Sequence, residues 1–289
     1  MKHAYLIIAH NEFAVLRVLL ELLDDPRNDI YIHVDKKVRS VPELHCKKAG
    51  LYILTKRIDV RWGHVSQIEA EYALFDAAYS NAKGYSRYHL ISGTHLPLKK
   101  QHEIHSFFKK HKNQEIFNYL YTNPYEVNMK LGRYHFFVHA QRYGSAILRK
   151  LSKLLWHIAL KIQYILKLKR KEPKVSIKAN NWLSLTEPAL RYVLEHRKEV
   201  MRLFKWTFCA DEFFVPYLLE NAGDKFQMLN DPHLLFNEFA GISPRILGEQ
   251  DFDFLMHSEY LFARKFSEKE MGLVEKIKKL LLDPLNLDK

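Results

Sequence analysis

Two short, continuous apolar runs, Tyr5-Leu6-Ile7-Ile8-Ala9 and Ile30 to Val34, bracket a stretch where Phe13, Leu16, Leu19, Leu20 and Leu23 recur at helical spacing. An uninterrupted apolar run of this length reads as a strand buried on both faces, and a helix between two such strands makes a βαβ unit with a parallel sheet. Asp25-Pro26-Arg27-Asn28-Asp29 supplies the turn. In open sheets of this kind ligands sit beyond the carboxyl ends of the strands. That rule singles out His10, after the first run, and Asp35, which closes the second with Lys36-Lys37. No glycine-rich loop lies between them, so the unit is not a dinucleotide fingerprint. Asp35 has two readings of equal standing: an acceptor for a nucleotide base or ribose, or an Asp that ends a strand in a turn.

The same patterns continue along the chain. Strands are expected at Leu51–Leu54, briefly near Val60, at Tyr88–Ser92, Glu115–Tyr119 and Lys178–Leu185. Helices are expected over Gln67–Ser80, with Ser66 and Glu69 as a capping box, over His102–Lys110, and from Glu187-Pro188 to about Arg197. Tyr121–Arg142, rich in Tyr, Asn and Arg, suits sugar rings or an ordinary surface loop. In Cys209-Ala210-Asp211-Glu212-Phe213-Phe214 two carboxylates open an apolar helical run. Acids in a first turn satisfy the helix dipole; the sharper reading makes Glu212 a general base whose aromatic flank raises its pKa. The expected architecture is one α/β domain over 1–289 with a mixed, mostly parallel central sheet. Residues 145–174 form a basic amphipathic helical insertion and 268–289 a C-terminal helix.

Composition sharpens the choice of partners. The chain carries a formal charge of +12, and Arg149–Lys174 holds nine Lys/Arg against the single acid Glu172. Ile147, Leu148, Leu151, Leu154, Leu155, Ile158, Ile162, Ile165 and Leu166 share one helical face there, with Arg149, Lys150, Lys153, His157, Lys161 and Lys167 on or near the other. This fits a helix lying on anionic lipid through 147–171, or a helix packed on the body with a solvated basic face. No nucleic-acid motif accompanies the charge, so RNA is not the expected partner. Met1-Lys2-His3 leads straight into a six-residue apolar run, unlike a signal peptide. No uncharged apolar stretch reaches the roughly 18 residues of a membrane span. Two cysteines, Cys46 and Cys209, make no disulfide framework, so a reducing cytoplasm is expected.

Seven motifs occur in one order. They are His10; Ile32-His33-Val34-Asp35-Lys36-Lys37; Arg61-Trp62-Gly63; Leu90-Ile91-Ser92-Gly93 with Leu96-Pro97-Leu98; Trp182-Leu183-Ser184-Leu185-Thr186; Asp211-Glu212-Phe213-Phe214; and Leu261-Phe262-Ala263-Arg264-Lys265-Phe266. From about residue 4 to 268 the chain resembles the core-2/I-branching β-1,6-N-acetylglucosaminyltransferases, a family that includes peptide O-xylosyltransferases. The resemblance implies a GT-A type nucleotide-diphospho-sugar transferase fold, a UDP-sugar donor, inversion at the anomeric carbon and no metal or other cofactor. It makes Glu212 the base. Arg245 and Lys265 take the metal's place at the diphosphate, Asp35 contacts the uridine, and the Ala9-His10 turn lies beside it. Trp62, His95, Lys130, Arg133, Trp182 and Asp211 are candidates for acceptor or sugar contact. His95 stands where relatives commonly carry Asp. Asp251-Phe252-Asp253 matches the metal-binding Asp-x-Asp pattern but reads as acids at a helix start. The anchor and disulfides of secretory relatives are missing, so a bacterial-style soluble member is expected, cytoplasmic or at the inner membrane surface. Its acceptor is then a glycan or lipid-linked glycan. The competing reading is a non-catalytic membrane-surface or glycan-binding module on the same fold.

Overall fold

Strand β1 (His3–Ala9) pairs in parallel with β2 (Asn28–Val34), Ala9 beside Val34, and helix α1 (Phe13–Leu23) crosses between them. Nearly every residue of both strands is buried, as uninterrupted apolar runs require. The computed structural model describes residues 1–81, 83–171, 173–241 and 243–283. Strand β3 (Gly50–Ile53) extends the sheet beyond β2; after helix α2 (Ser66–Ser80), β4 (Arg87–Ser92) returns to the other side of β1. The direction of sheet growth therefore reverses between β1 and β4, which opens a crevice at their carboxyl ends.

The chain continues through β5 (Leu96–Pro97), α3 (Gln101–Lys110), β6 (Gln114–Phe117), β7 (Tyr119–Leu120), α4 (Pro124–Leu131) and α5 (Ala146–Ile165). Then come β8 (Lys178–Ala179), β9 (Leu183–Leu185), α6 (Glu187–Glu195), α7 (Arg197–Phe204), α8 (Phe214–Asn221) and β10 (Gln227–Asn230). The seven-stranded sheet has the order β10-β6-β9-β4-β1-β2-β3, and only β9 runs against the rest. Last are β11 (Leu235–Asn237), the pair β12 (Phe239–Ala240) and β13 (Ser243–Pro244), α9 (Phe252–His257), β14 (Phe262–Arg264) and α10 (Met271–Leu282). Strands β11, β14 and β5 form a small second sheet.

Several expectations need correction. No strand forms near Val60; the chain there runs extended, its Ile58 bonded to Lys36 and His33. Ser66 does not cap α2, because it lies inside the helix and its Oγ accepts from Arg61 N at 2.8 Å. The stretch Lys178–Leu185 breaks into β8 and β9, and the helix expected to reach Arg197 ends at Glu195, where α7 follows. Helix α4 stands inside a segment with no expected element, although Asn123 caps it and Pro124 opens it. The C-terminal helix stops at Leu282, and 284–289 lie outside the described residues.

Helix α5 is mounted in an unusual way. Its body-facing side is polar: Ser152 donates to Phe137 O, Gln163 brackets the Tyr134 main chain, and Trp156 Nε1 donates to His135 at 3.0 Å. Its apolar stripe faces outward, with Ile147 80% and Ile165 64% exposed and Leu151, Leu154, Ile158 and Ile162 exposed between them. Packing by an apolar face with only the basic side solvated is therefore ruled out. Among the described residues no helix is long and apolar enough to cross a membrane.

Candidate active site

The carboxyl ends of β1, β2 and β4 are tied together by main-chain bonds. Asp35 N donates to Ala9 O and Gly93 N to Ile8 O, both at 2.9 Å. A Cβ on Gly93 would lie 3.2 Å from that of Ala9, so any larger residue there would have to push the two turns apart by a few tenths of an ångström. Ala9 is buried, with its carbonyl used in this tie, while His10 emerges exposed at the edge. Asp35 is buried in the turn, its two oxygens accepting from Lys37 N at 2.8 Å and Lys37 Nζ at 2.6 Å. Lys37 also meets Asp59, and Tyr143 lies over both Lys37 and Arg61. Lys37, Asp59, Arg61 and Tyr143 were not singled out by sequence reasoning, although Lys37 and Arg61 sit inside quoted motifs.

The C-terminal motif returns to this edge. Phe266 N donates to Thr94 O, Ser267 and Glu268 bond the Glu12 carboxylate, and Glu268 caps Ala14 N in return. Lys265, Arg264 and Lys37 act with Asp35 on the His10 ring, so these charges share one neighbourhood. Arg245 stands two residues before Leu247, whose N–H donates to Lys265 O. Its guanidinium is shared by Glu238 and Asp251, at 2.6 and 2.8 Å. Asp251 thus serves a local turn, as its reading as a helix-start acid implies.

Glu212 lies in a network of alternating charge. Lys130 Nζ is 2.9 Å from Glu212 Oε2 and 2.9 Å from Glu126, while Lys178 Nζ is 2.8 Å from Glu126 and 3.6 Å from Glu212. Burial alone pushes Glu126 up, but Lys178 and Lys130 outweigh it and hold the carboxyl at about 2. The expected aromatic flank of Glu212 is not its environment: Phe213 and Phe214 are sunk in the core and the carboxylate faces ammonium groups. Behind it Asp211 is buried and accepts from Gln67 Nε2 at 2.7 Å. Burial, then the charge of Glu212, push Asp211 up to about 7. Glu71, one turn beyond Gln67, is wholly buried and is also driven well above the carboxylate range by burial and by Asp211. Glu71, Gln67, Glu126 and Lys178 escaped sequence reasoning because nothing local marks them; only the fold sets α2, α4 and β8 around the motif.

The Arg61-Trp62-Gly63 loop joins the two halves. Cys209, with a left-handed φ of 51°, donates to Gly63 O, and Gly63, at φ 73°, would drive a Cβ to 2.5 Å from the Phe208 ring. Trp62 is part-exposed, with Arg142 stacked on it 3.4 Å from the ring centre. Three sugar-contact candidates are held inside the body. Arg133 donates to Gln163 O and Leu168 O at the end of α5, His95 is wholly buried against Trp182, and Trp182 is nearly so. Burial, reinforced by Arg264, keeps His95 neutral.

A cavity of about 680 Å³ opens near this region, lined by Asn118, Asn180, Phe236, Asn237, Arg245 and Tyr260 among others. A larger one, about 920 Å³, lies against β3 and α2 and touches none of the charged groups above. Among the described residues no three His, Cys, Asp or Glu side chains are grouped to hold a metal.

A family profile described as Core-2/I-Branching enzyme matches residues 3–235. The chain belongs to the core-2/I-branching enzyme family. It is a glycosyltransferase with a mixed α/β fold around a mostly parallel seven-stranded sheet. The family match holds Asp35, Trp62 and Glu212 and stops short of Arg245, Arg264 and Lys265. Among solved structures the chain is similar to mouse xyloside xylosyltransferase 1 in its apo form. The two are 10% identical with a TM-score of 0.40 over 91% of this chain and 96% of that one. No curated protein sequence matches.

A carboxyl raised from 3.8 to about 7 holds a proton in the fold that the unfolded chain releases. Its stabilisation is present below pH 3.8 and is lost as pH rises through about 7. Asp211→Asn keeps an acceptor for Gln67 and does not titrate. Its melting temperature relative to wild type should therefore climb between pH 5 and pH 8; a difference that is flat or falling over that range contradicts the buried-acid assignment.

Proposed function

We propose that this core-2/I-branching enzyme transfers a sugar, GlcNAc or xylose by family resemblance, from a UDP-sugar to a glycan hydroxyl with inversion and without a metal. What supports the reading is a chain of contacts: Lys265 shares the neighbourhood of His10 with Asp35 and Lys37, and the Glu212 segment is tied to the Arg61–Gly63 loop by the bond from Cys209 N to Gly63 O. Glu212 Oε2 takes the acceptor hydroxyl proton as that oxygen attacks the anomeric carbon. The bond from that carbon to the diphosphate breaks, and its electron pair leaves on a phosphate oxygen. The negative charge developing there is met by Lys265 and Arg245. The cavity of about 680 Å³, with four aromatic rings and three Asn amides, suits sugar rings. Its wall at Leu120 pairs with Lys178, which reaches Glu212.

In the same reading α5 rests on an anionic membrane and brings the enzyme to a lipid-linked acceptor at the inner membrane surface. The outward apolar stripe is bordered by Lys150, Lys153 and Lys161, and the exposed rings of Tyr134, Phe136, Phe137 and Trp206 lie near the helix. An apolar face with a cationic flank and an aromatic fringe complements anionic headgroups over acyl chains.

Glu212→Gln should retain UDP affinity within about twofold while turnover falls by about 10²- to 10⁴-fold, the usual worth of a positioned base. Near-normal turnover removes Glu212 from the role. In vesicle co-sedimentation the protein should pellet with phosphatidylglycerol-containing vesicles more than with phosphatidylcholine alone. Leu154→Ser combined with Ile158→Ser should abolish the difference. Equal pelleting with both lipids, or an unaffected variant, contradicts the membrane assignment.

A further inference from the structure

Glu212 is carried on one tight turn, Ala210–Glu212, between Cys209 in the left-handed region and the start of α8. A single loop grips this turn at two points. Cys209 N donates to Gly63 O at 3.0 Å, and Asp211, next to Glu212, accepts from Gln67 Nε2 at 2.7 Å. Gln67 Oε1 in turn accepts from Gly63 N. Gly63, Gln67, Asp211 and Cys209 thus close one circuit of hydrogen bonds.

The chemistry of the circuit asks for an amide at position 67. The Gly63 N–H can only donate, so Oε1 faces it and Nε2 is left for the buried Asp211 carboxyl, which needs a donor. A carboxylate lacks the donor, and an apolar side chain lacks both groups. Gln67 stands in the first turn of α2, and α2 packs on β1 and β2. Beside it Ser66 Oγ accepts from Arg61 N at 2.8 Å, so the loop that carries Trp62 is folded back on the helix start. Lys130 and Lys178 also meet Glu212, but an ammonium on a flexible stem holds a charge without fixing its direction. Two attachments to a packed helix fix both.

We infer that Gln67 is a positioning residue for the transfer step, holding the Glu212 turn in register with the Trp62 loop. The base and a sugar lying against Trp62 then keep one separation and one angle. This rests on the reading of Glu212 as the base.

The test measures UDP released by the full chain from UDP-GlcNAc and from UDP-xylose, with water as acceptor giving its proton to Glu212, and a thermal melt of each variant. Gln67→Leu removes both bonds. It should lower kcat by roughly 10- to 100-fold, as a displaced catalytic group does, with the donor KM within about twofold of wild type. Gln67→Glu combined with Asp211→Asn keeps the bond from Gly63 and reverses donor and acceptor in the other. This pair should melt like Asp211→Asn alone and come within about threefold of its kcat. Gln67→Leu combined with Asp211→Asn can form neither bond and should stay slow. Gln67→Leu with wild-type kcat overturns the assignment of Gln67, as does a reversed pair that melts like Asp211→Asn yet is no faster than Gln67→Leu. Near-normal turnover by Glu212→Gln overturns instead the base reading on which the assignment stands. A wild-type chain that releases UDP from neither donor overturns the donor reading itself.

Discussion

The parallel register of β1 with β2 on one side and β4 on the other is the constraint from which the site follows. It brings the turns after Ala9, Val34 and Ser92 to one edge, where two main-chain bonds lock them. Since β9 runs the opposite way, its entry at Trp182 reaches the same edge. The C-terminal segment then closes over these turns through Phe266, Ser267 and Glu268. Residues from both ends of the chain thereby meet in one place.

Charge around Glu212 is organised by pairing. Glu212, Glu126, Lys130 and Lys178 alternate, so each carboxylate has ammonium neighbours. Those pairs hold the Glu212 carboxylate, and the acids Asp211 and Glu71 lie buried beside it. Arg245 is likewise neutralised.

The βαβ opening, the parallel sheet and the strand-end positions of His10 and Asp35 were legible because periodicity reports burial directly. The motif order identified the family. What escaped was whatever depends on tertiary partners. Arg133 resembles a surface arginine in sequence, but its carbonyl acceptors come from the far end of α5. His95 and Trp182, candidates for sugar contact in the sequence, are buried. Glu71 is one acid among many on α2 until Asp211 is set beside it. For α5 the pattern announced two faces but not which would be turned outward, since small polar contacts at Ser152 and Gln163 decide the mounting.

The central claim is that side-chain cations, not a metal ion, receive the departing diphosphate. Nucleotide titration of the wild-type chain in EDTA tests it most directly. The account predicts that affinity rises steeply from uridine through UMP to UDP, and that added Mg²⁺ leaves the series unchanged. Equal affinities across the series, or UDP binding that appears only with Mg²⁺, would contradict it.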